Sequence, residues 1–275
     1  MQFLEFFYLI SFPAVRPKLV SKAFGLWNRL ISGAAKKLYP SHCEKRKNTV
    51  GVCNTNYNDF EVVISLTSFP SRMNTIKWTL ESLCRQSMKP NRIELWLCSD
   101  EFGNENIPDE LTEFVSRGIE VKFTDINLKP HNKSFHSARE NPNRLIITVD
   151  DDVLYSERLV EKLYAEYLKS DKHTVICEHA HRITFDRMGR VKMYNQWDWD
   201  SKGIQGPSML LMPKGVGGVL YPLGFFGELY FDLDTINRCC LSNDDLWLKV
   251  NGYNSAHFGS LGRNYRGCHF DIVLY

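Results

Sequence analysis

The sequence predicts an α/β fold built on a mainly parallel sheet with helices on both faces, and three observations lead to it. Short β-branched runs alternate with amphipathic helical stretches from Glu61 onward, the pattern of strand-helix-strand units. One such run, residues 145–149, ends directly on three consecutive aspartates, Asp150, Asp151 and Asp152, where open α/β sheets place ligand-binding groups. At 275 residues, 43% of them hydrophobic, the chain can bury one domain of that size and still carry an appendage.

The elements follow in order. Residues 62–66 alternate little and are almost wholly apolar, as a strand buried on both faces is. A helix is expected over 73–86, because Met73, Ile76, Leu80 and Leu83 recur at helical spacing. Residues 93–97 read as the second strand, 109–116 as a short helix and 119–123 as the third strand. The run 145–149 is then a buried strand, bounded upstream by Asn141, Pro142 and Asn143. A helix over 157–169 repeats Leu159, Val160, Leu163 and Tyr167, and 175–177 supplies a further strand. There is no internal repeat.

Ahead of this domain, taken as residues 60–275, stands a head and linker, 1–59. The net charge of +2 conceals an asymmetry: nine Lys and Arg face Glu5 and Glu44 in the first fifty residues, a charge of +7, and the other 25 bases face 30 acids, a charge of −5. The opening run, Phe3 to Ile10, is too short to span a bilayer, and no basic segment precedes it as in a secretory signal. Residues 19–38 interleave Leu19, Phe24, Trp27, Leu30 and Ile31 with lysines and arginines. That mixture suits a basic amphipathic helix on an anionic membrane face, or equally a helix packed on the domain with its basic side in water. The polar stretch 43–59 reads as a linker. Nucleic acid is not expected as a partner, since the acidic body offers no extended basic groove. Eight cysteines stand apart without zinc spacing, and several sit in apolar runs, which suits reduced core thiols in a cytoplasmic protein.

The aspartate triplet carries the chemistry. Three adjacent anions repel one another, so a strand end holds them only where a cation or polar ligand compensates them. Asp150 and Asp152 offer the hard oxygens that Mg2+ or Mn2+ prefers. The competing role is a cap for a helix starting near Ser156.

With those residues in place, the chain from Glu61 to about Trp247 resembles nucleotide-sugar glycosyltransferases of the GT-A fold, near the family 2 type of bacterial surface-polysaccharide clusters. The segment Ile64-Ser65-Leu66-Thr67-Ser68-Phe69-Pro70-Ser71-Arg72, with Thr79 to Ser87 after it, is similar to the family's nucleotide-binding opening and its S-L-x-x-Q helix. Asn132 to Asn141, which includes Lys133, is similar to its N-x-G-x-x-x-A-R-N segment, with Ser134 in place of glycine and one residue inserted. The resemblance implies that Thr67, Ser68, Arg72, Asp100, Lys133 and Asp151 bind the nucleotide-sugar donor, with Asp100 on the base and Asp151 on the ribose or sugar. It implies that the triplet is the metal-binding Asp-x-Asp motif, with Asp150 and Asp152 holding a divalent ion. Asn243-Asp244-Asp245 matches the family's E-D element, which makes Asp245 the base toward an acceptor hydroxyl and Asp244 its orienting neighbour; a helix-capping role is the alternative. The expected partners are a nucleotide sugar, a glycan or lipid-linked acceptor and the inner face of the cytoplasmic membrane.

Three further features are open. The glycines of Gly215-Val216-Gly217-Gly218 permit close approach of backbone to ligand, or simply form a tight turn before a strand. Tyr194, Trp197 and Trp199 among Asp198 and Asp200 suit stacking on sugar rings, or a buried core. His269 is either a third metal ligand or structural. Only thirty residues follow Asp245, fewer than family members often carry around the acceptor. Two other functions compete: a haloacid dehalogenase-type phosphohydrolase, whose Asp-x-Asp also follows a strand, and an inactive, carbohydrate-binding relative.

Overall fold

The computed structural model describes residues 39, 49–57, 60–103, 106–199, 208–258 and 272–274. The chain divides into two compact units, Met1–Thr49 and Val50–Tyr275, and the second carries every strand and helix named below. The amphipathic stretch of the head and His269 lie outside the described residues.

Four parallel strands form the frame. β1 (Glu61–Thr67) pairs with β2 (Arg92–Cys98) on one side and β4 (Arg144–Thr148) on the other, and β3 (Ile119–Thr124) adds to β2. The chain therefore runs outward through β2 and β3 and returns to the far side of β1. That reversal makes a topological switch point between β1 and β4, where ligands bind in sheets of this kind. Beyond β4 the sheet continues as β8 (Val219–Tyr221), β5 (Val175–Cys177) and β9 (Ile272–Leu274), with β8 antiparallel to both its neighbours β4 and β5. β6 (Ala180–Arg182) and β7 (Leu211–Pro213) form a separate antiparallel pair.

Alternation along the strands assigns the two faces. Val62, Ile64 and Leu66 of β1, with Ile93, Leu95 and Leu97 of β2, pack against α1 (Met73–Cys84) and α3 (Leu159–Lys169) in one buried cluster. On the opposite face lies α2 (Asn132–Glu140), where the His136 ring stacks on Trp96 of β2 at 4.9 Å between centroids. Phe135 of α2 joins a second cluster with Tyr221, Phe225, Tyr230, Trp247 and Leu248, and the last two belong to α4 (Asp244–Phe258). The layers are helix, sheet, helix, as the alternation in sequence predicts.

Several boundaries differ from the reading of the sequence. The region expected as a helix over 109–116 is a 3-10 turn, Asp109–Leu111, followed by one helical stretch, Thr112–Ser116. From Val50 the presumed linker belongs to the second unit. Gly51 N–H donates to Arg117 O at 2.8 Å, Cys53 N–H to Pro90 O at 2.9 Å, and Asn91 Nδ2 to Thr55 O at 2.9 Å. The glycine-rich segment before Pro222 holds a 3-10 turn, Gly215–Gly217, and then β8. Gly218 between them has φ +85, a left-handed conformation that glycine adopts without a Cβ penalty.

Candidate active site

Two strand ends and two helix starts converge beyond the carboxyl edge of the sheet. After β4 the chain turns at Asp150–Asp152, seven residues ahead of α3, so the triplet does not cap that helix. Its backbone is fixed from behind: Asp150 N–H donates to the buried Tyr155 hydroxyl at 2.8 Å, and Thr79 Oγ1 of α1 donates to Asp151 O at 2.9 Å. Tyr155 carries no signal in the sequence, and Thr79 enters there only as the start of the helix segment that resembles the family, without a contact to the triplet.

Each aspartate of the triplet has its own partner. Asp150 Oδ1 pairs with Lys133 Nζ at 2.8 Å, Asp152 Oδ2 with Arg72 Nη2 at 2.9 Å, and Ser68 Oγ donates to Asp151 Oδ2 at 2.5 Å. Burial raises the Asp151 carboxyl above its ordinary range, opposed by the Ser68 hydroxyl and by Arg72. Thr67, at the end of β1, donates its hydroxyl to Trp96 O at 2.8 Å and so ties β1 to β2. Asp100 is exposed in the turn after β2, on the same edge of the sheet.

Lys133 is the junction of the site. It projects from the first turn of α2, is buried, and also meets Asp244 Oδ2 at 2.9 Å. Burial alone would lower its pKa, but Asp244, Asp150 and Asp245 together raise it well above the usual lysine range, so it is a fixed cation. The two halves of the expected machinery, about ninety residues apart in sequence, are thus joined through one ammonium group.

Asp244 and Asp245 lie in the first turn of α4. The capping role belongs to the residue before them: Asn243 Oδ1 accepts from Leu246 N–H at 3.0 Å. That leaves both carboxylates for the site. Asp245 Oδ2 accepts from Gly215 N–H at 3.3 Å. Its carboxyl is pushed up to about 6, first by burial and then by the Asp244 charge, against the opposing effects of Lys133 and the Gly215 N–H.

A side chain at Gly215 would crowd the cluster. A Cβ on it would stand 2.9 Å from Lys133 Nζ, 3.2 Å from Asp245 Oδ1 and 3.3 Å from Asp150 Oδ1. Gly215→Ala is therefore expected to destabilise the protein by about 1–3 kcal/mol, the usual range for overpacking. Urea unfolding checks this; an unshifted midpoint would mean that Lys133 yields without cost.

The donor set suits a divalent ion. Asp150 and Asp152 each keep a second carboxylate oxygen beside the one already paired, and their side chains are 32% and 43% exposed toward the edge where a ligand would lie. Among the described residues no three His, Cys, Asp or Glu side chains form a metal-sized group. One or two carboxylates completed by substrate phosphates and water is how Mg2+ is commonly bound, so the set matches such a site and not an all-protein cage.

The aromatic residues are at the surface. Tyr194 and Trp199 are about half exposed and pack on each other at 5.4 Å, with His181 of β6 beneath Trp199 at 4.7 Å. Trp197 Nε1 donates to Lys192 O at 2.9 Å.

A family described as glycosyl transferase family 2 matches residues 71–209, half of the chain. No curated protein matches the sequence. Among solved structures, a mycobacterial protein is 14% identical with a TM-score of 0.37, over 67% of this chain and 63% of that one. The chain thus spans less than two thirds of that protein. A CMP:2-keto-3-deoxy-manno-octonic acid synthetase complexed with CTP is 10% identical with a TM-score of 0.39, over 78% and 88%.

Proposed function

The chain belongs to glycosyl transferase family 2, and on that premise we propose that it moves a sugar from a UDP-sugar to a hydroxyl of a glycan or lipid-linked acceptor, with inversion at the anomeric carbon. One observation supports the reading above others: the aspartate triplet at the switch point and Asp245 at a helix start flank a single buried lysine. The acceptor oxygen attacks the anomeric carbon while the bond to the diphosphate breaks. Its proton passes to the Asp245 carboxylate, and the nucleoside diphosphate leaves with the electron pair.

Asp245 suits the base because its raised pKa, about 6, makes it a better proton acceptor than an ordinary carboxylate while leaving it ionised near neutrality. Asp244, held by Lys133, keeps a second negative charge beside it. On the donor side Asp150 and Asp152 would hold Mg2+ or Mn2+, which when bound offsets the charge growing on the diphosphate. Thr67, Ser68, Arg72, Asp100, Lys133 and Asp151, near the ends of β1, β2 and β4 and the start of α2, would contact the donor in this reading. Arg72 is the residue there able to meet phosphate, once its contact with Asp152 opens.

The product belongs to surface-polysaccharide assembly in this reading, and the enzyme sits peripherally on the inner face of the cytoplasmic membrane. The +7 head supports that placement by its charge and aromatic residues. Among the described residues no helix is long and apolar enough to cross a membrane. The deciding assay offers UDP-sugars with Mn2+ and, in parallel, a generic phosphatase substrate. The reading expects release of UDP from at least one donor and no phosphate from the generic substrate; the opposite result would favour the phosphohydrolase.

A further inference from the structure

The two helices that deliver Lys133 and Asp244 are tied to each other by neutral hydrogen bonds behind the charged cluster. His131 closes the 3-10 turn Lys129–His131 ahead of α2 and is fully buried. Its Nε2 lies 2.9 Å from the carbonyl oxygen of Cys240, the last residue of the π-helical turn Ile236–Cys240. A carbonyl oxygen only accepts, so Nε2 carries the proton. The same carbonyl accepts from Asn243 N–H at 2.8 Å, and Asn243 in turn caps α4. One turn along α2, Ser134 Oγ stands 2.6 Å from the Tyr230 hydroxyl, and the Tyr230 carbonyl accepts from Trp247 Nε1 of α4 at 3.0 Å. Two ties therefore run from the start of α2 to the start of α4, one through Cys240 and one through Tyr230.

A neutral histidine suits the first tie. Burial lowers the His131 pKa, against the Cys240 carbonyl and the Asp244 charge, so the ring is uncharged near neutrality. Nδ1 has no hydrogen-bond partner among the described residues, so an imidazolium would bury a second N–H with nothing to receive it. The uncharged ring holds the Cys240 carbonyl and adds no cation beside Lys133. We infer that His131 and Tyr230 are positioning residues for the acceptor-side base, fixing α4 against α2 so that Asp244 meets Lys133 at 2.9 Å and Asp245 is held beside them.

The role of Asp245 as base rests on the transferase reading, whereas the ties themselves are hydrogen bonds of the fold. A base must reach the acceptor hydroxyl in near-attack geometry, and a misplacement of about 1 Å can cost rate steeply. Asp150, Asp152, Ser68 and Arg72, on the donor side, lie outside both ties. Loosening a tie therefore acts on turnover more than on donor affinity.

Three variants of the full chain test this. His131→Phe keeps a ring and removes the N–H, His131→Gln restores a donor near the place of Nε2, and Tyr230→Phe removes only the hydroxyl that meets Ser134. Each phenylalanine variant should lower turnover by roughly tenfold while UDP affinity with Mn2+ stays within about twofold, and His131→Gln should recover most of the loss. The nitrogen-15 resonance of the Lys133 ammonium reads the same geometry without turnover. Its protons exchange slowly with water only while the buried contact with Asp244 is kept, so the signal should broaden in both phenylalanine variants and return with glutamine. Unchanged turnover and an unchanged ammonium signal in the folded variants overturn the inference. So does an equal fall of turnover and UDP affinity that glutamine does not repair, which would mean that the two residues only pack the fold. Should His131→Phe fail to fold, Tyr230→Phe decides by the same two readouts. A chain that transfers no sugar, yet shows the ammonium changes, would count against the transferase reading and leave the ties standing.

Discussion

Replacing Asp245 with asparagine lowers sugar-transfer turnover by on the order of a hundredfold or more, with UDP affinity close to that of the unaltered chain. Asparagine keeps the shape and can still accept from the Gly215 N–H, but it cannot take the acceptor proton. The pH profile supplies a second signature. Because burial and the Asp244 charge push the Asp245 carboxyl up to about 6, it is protonated and inactive as a base below that pH. Turnover should therefore rise through about 6 and level off above it, and the variant should lose that limb. A variant that loses its circular dichroism along with its activity would show a structural role instead.

Lys133→Met carries the largest expected cost in stability. Lys133 is the buried cation between Asp150 and Asp244, with Asp245 beside them. Methionine fills the same volume and leaves three carboxylates facing one another in a poorly solvated cluster. Removing one partner of a buried ion pair typically costs about 3–5 kcal/mol, far more than the pair itself contributes against an apolar replacement. Denaturant unfolding at neutral pH should show a loss of that order. The gap should narrow in acid, where the carboxylates take up protons and the repulsion fades. An unchanged midpoint at both pH values would mean that water already compensates those charges.

The parts of the fold that depend on apolar periodicity were legible in the sequence. β1, β2, β4 and α1 lie within a residue or two of the stretches read from Val62, Ile93, Leu145 and Met73. α2 was not read as a helix, and the reason is physical. Its buried face consists of Asn132, Lys133, Ser134 and Ser137 as well as Phe135 and Ala138, so the side turned to the sheet and site is as polar as a solvated one. A helix that delivers a lysine to a carboxylate cluster cannot show the usual apolar stripe. β8 follows the glycines as the turn-before-a-strand reading expects, but its place was not legible: three residues carry no sign of antiparallel pairing with both β4 and β5.

The candidate site divides in the same way. The triplet and the Asn243-Asp244-Asp245 element announce themselves through local residue type and position. Their meeting depends on β8 entering the sheet beside β4, which carries Gly215 against Asp150 and Asp245 at once. Capping by Asn243 or Asp244 is the alternative role that the sequence offers for this element, and the hydrogen bond from Leu246 N–H decides for Asn243.

The central claim is that the diphosphate of the donor is held through a divalent ion at Asp150 and Asp152. Calorimetric titration of UDP into the full chain, with and without Mn2+, and into Asp152→Ala, tests it most directly. Asp152 is nearly half exposed and, among the described residues, pairs with Arg72 at the surface, so its replacement should leave the fold intact. The account predicts UDP binding that strengthens by roughly tenfold or more when Mn2+ is added, and a variant in which that gain disappears. Equal UDP affinity with and without Mn2+ in both proteins would contradict it.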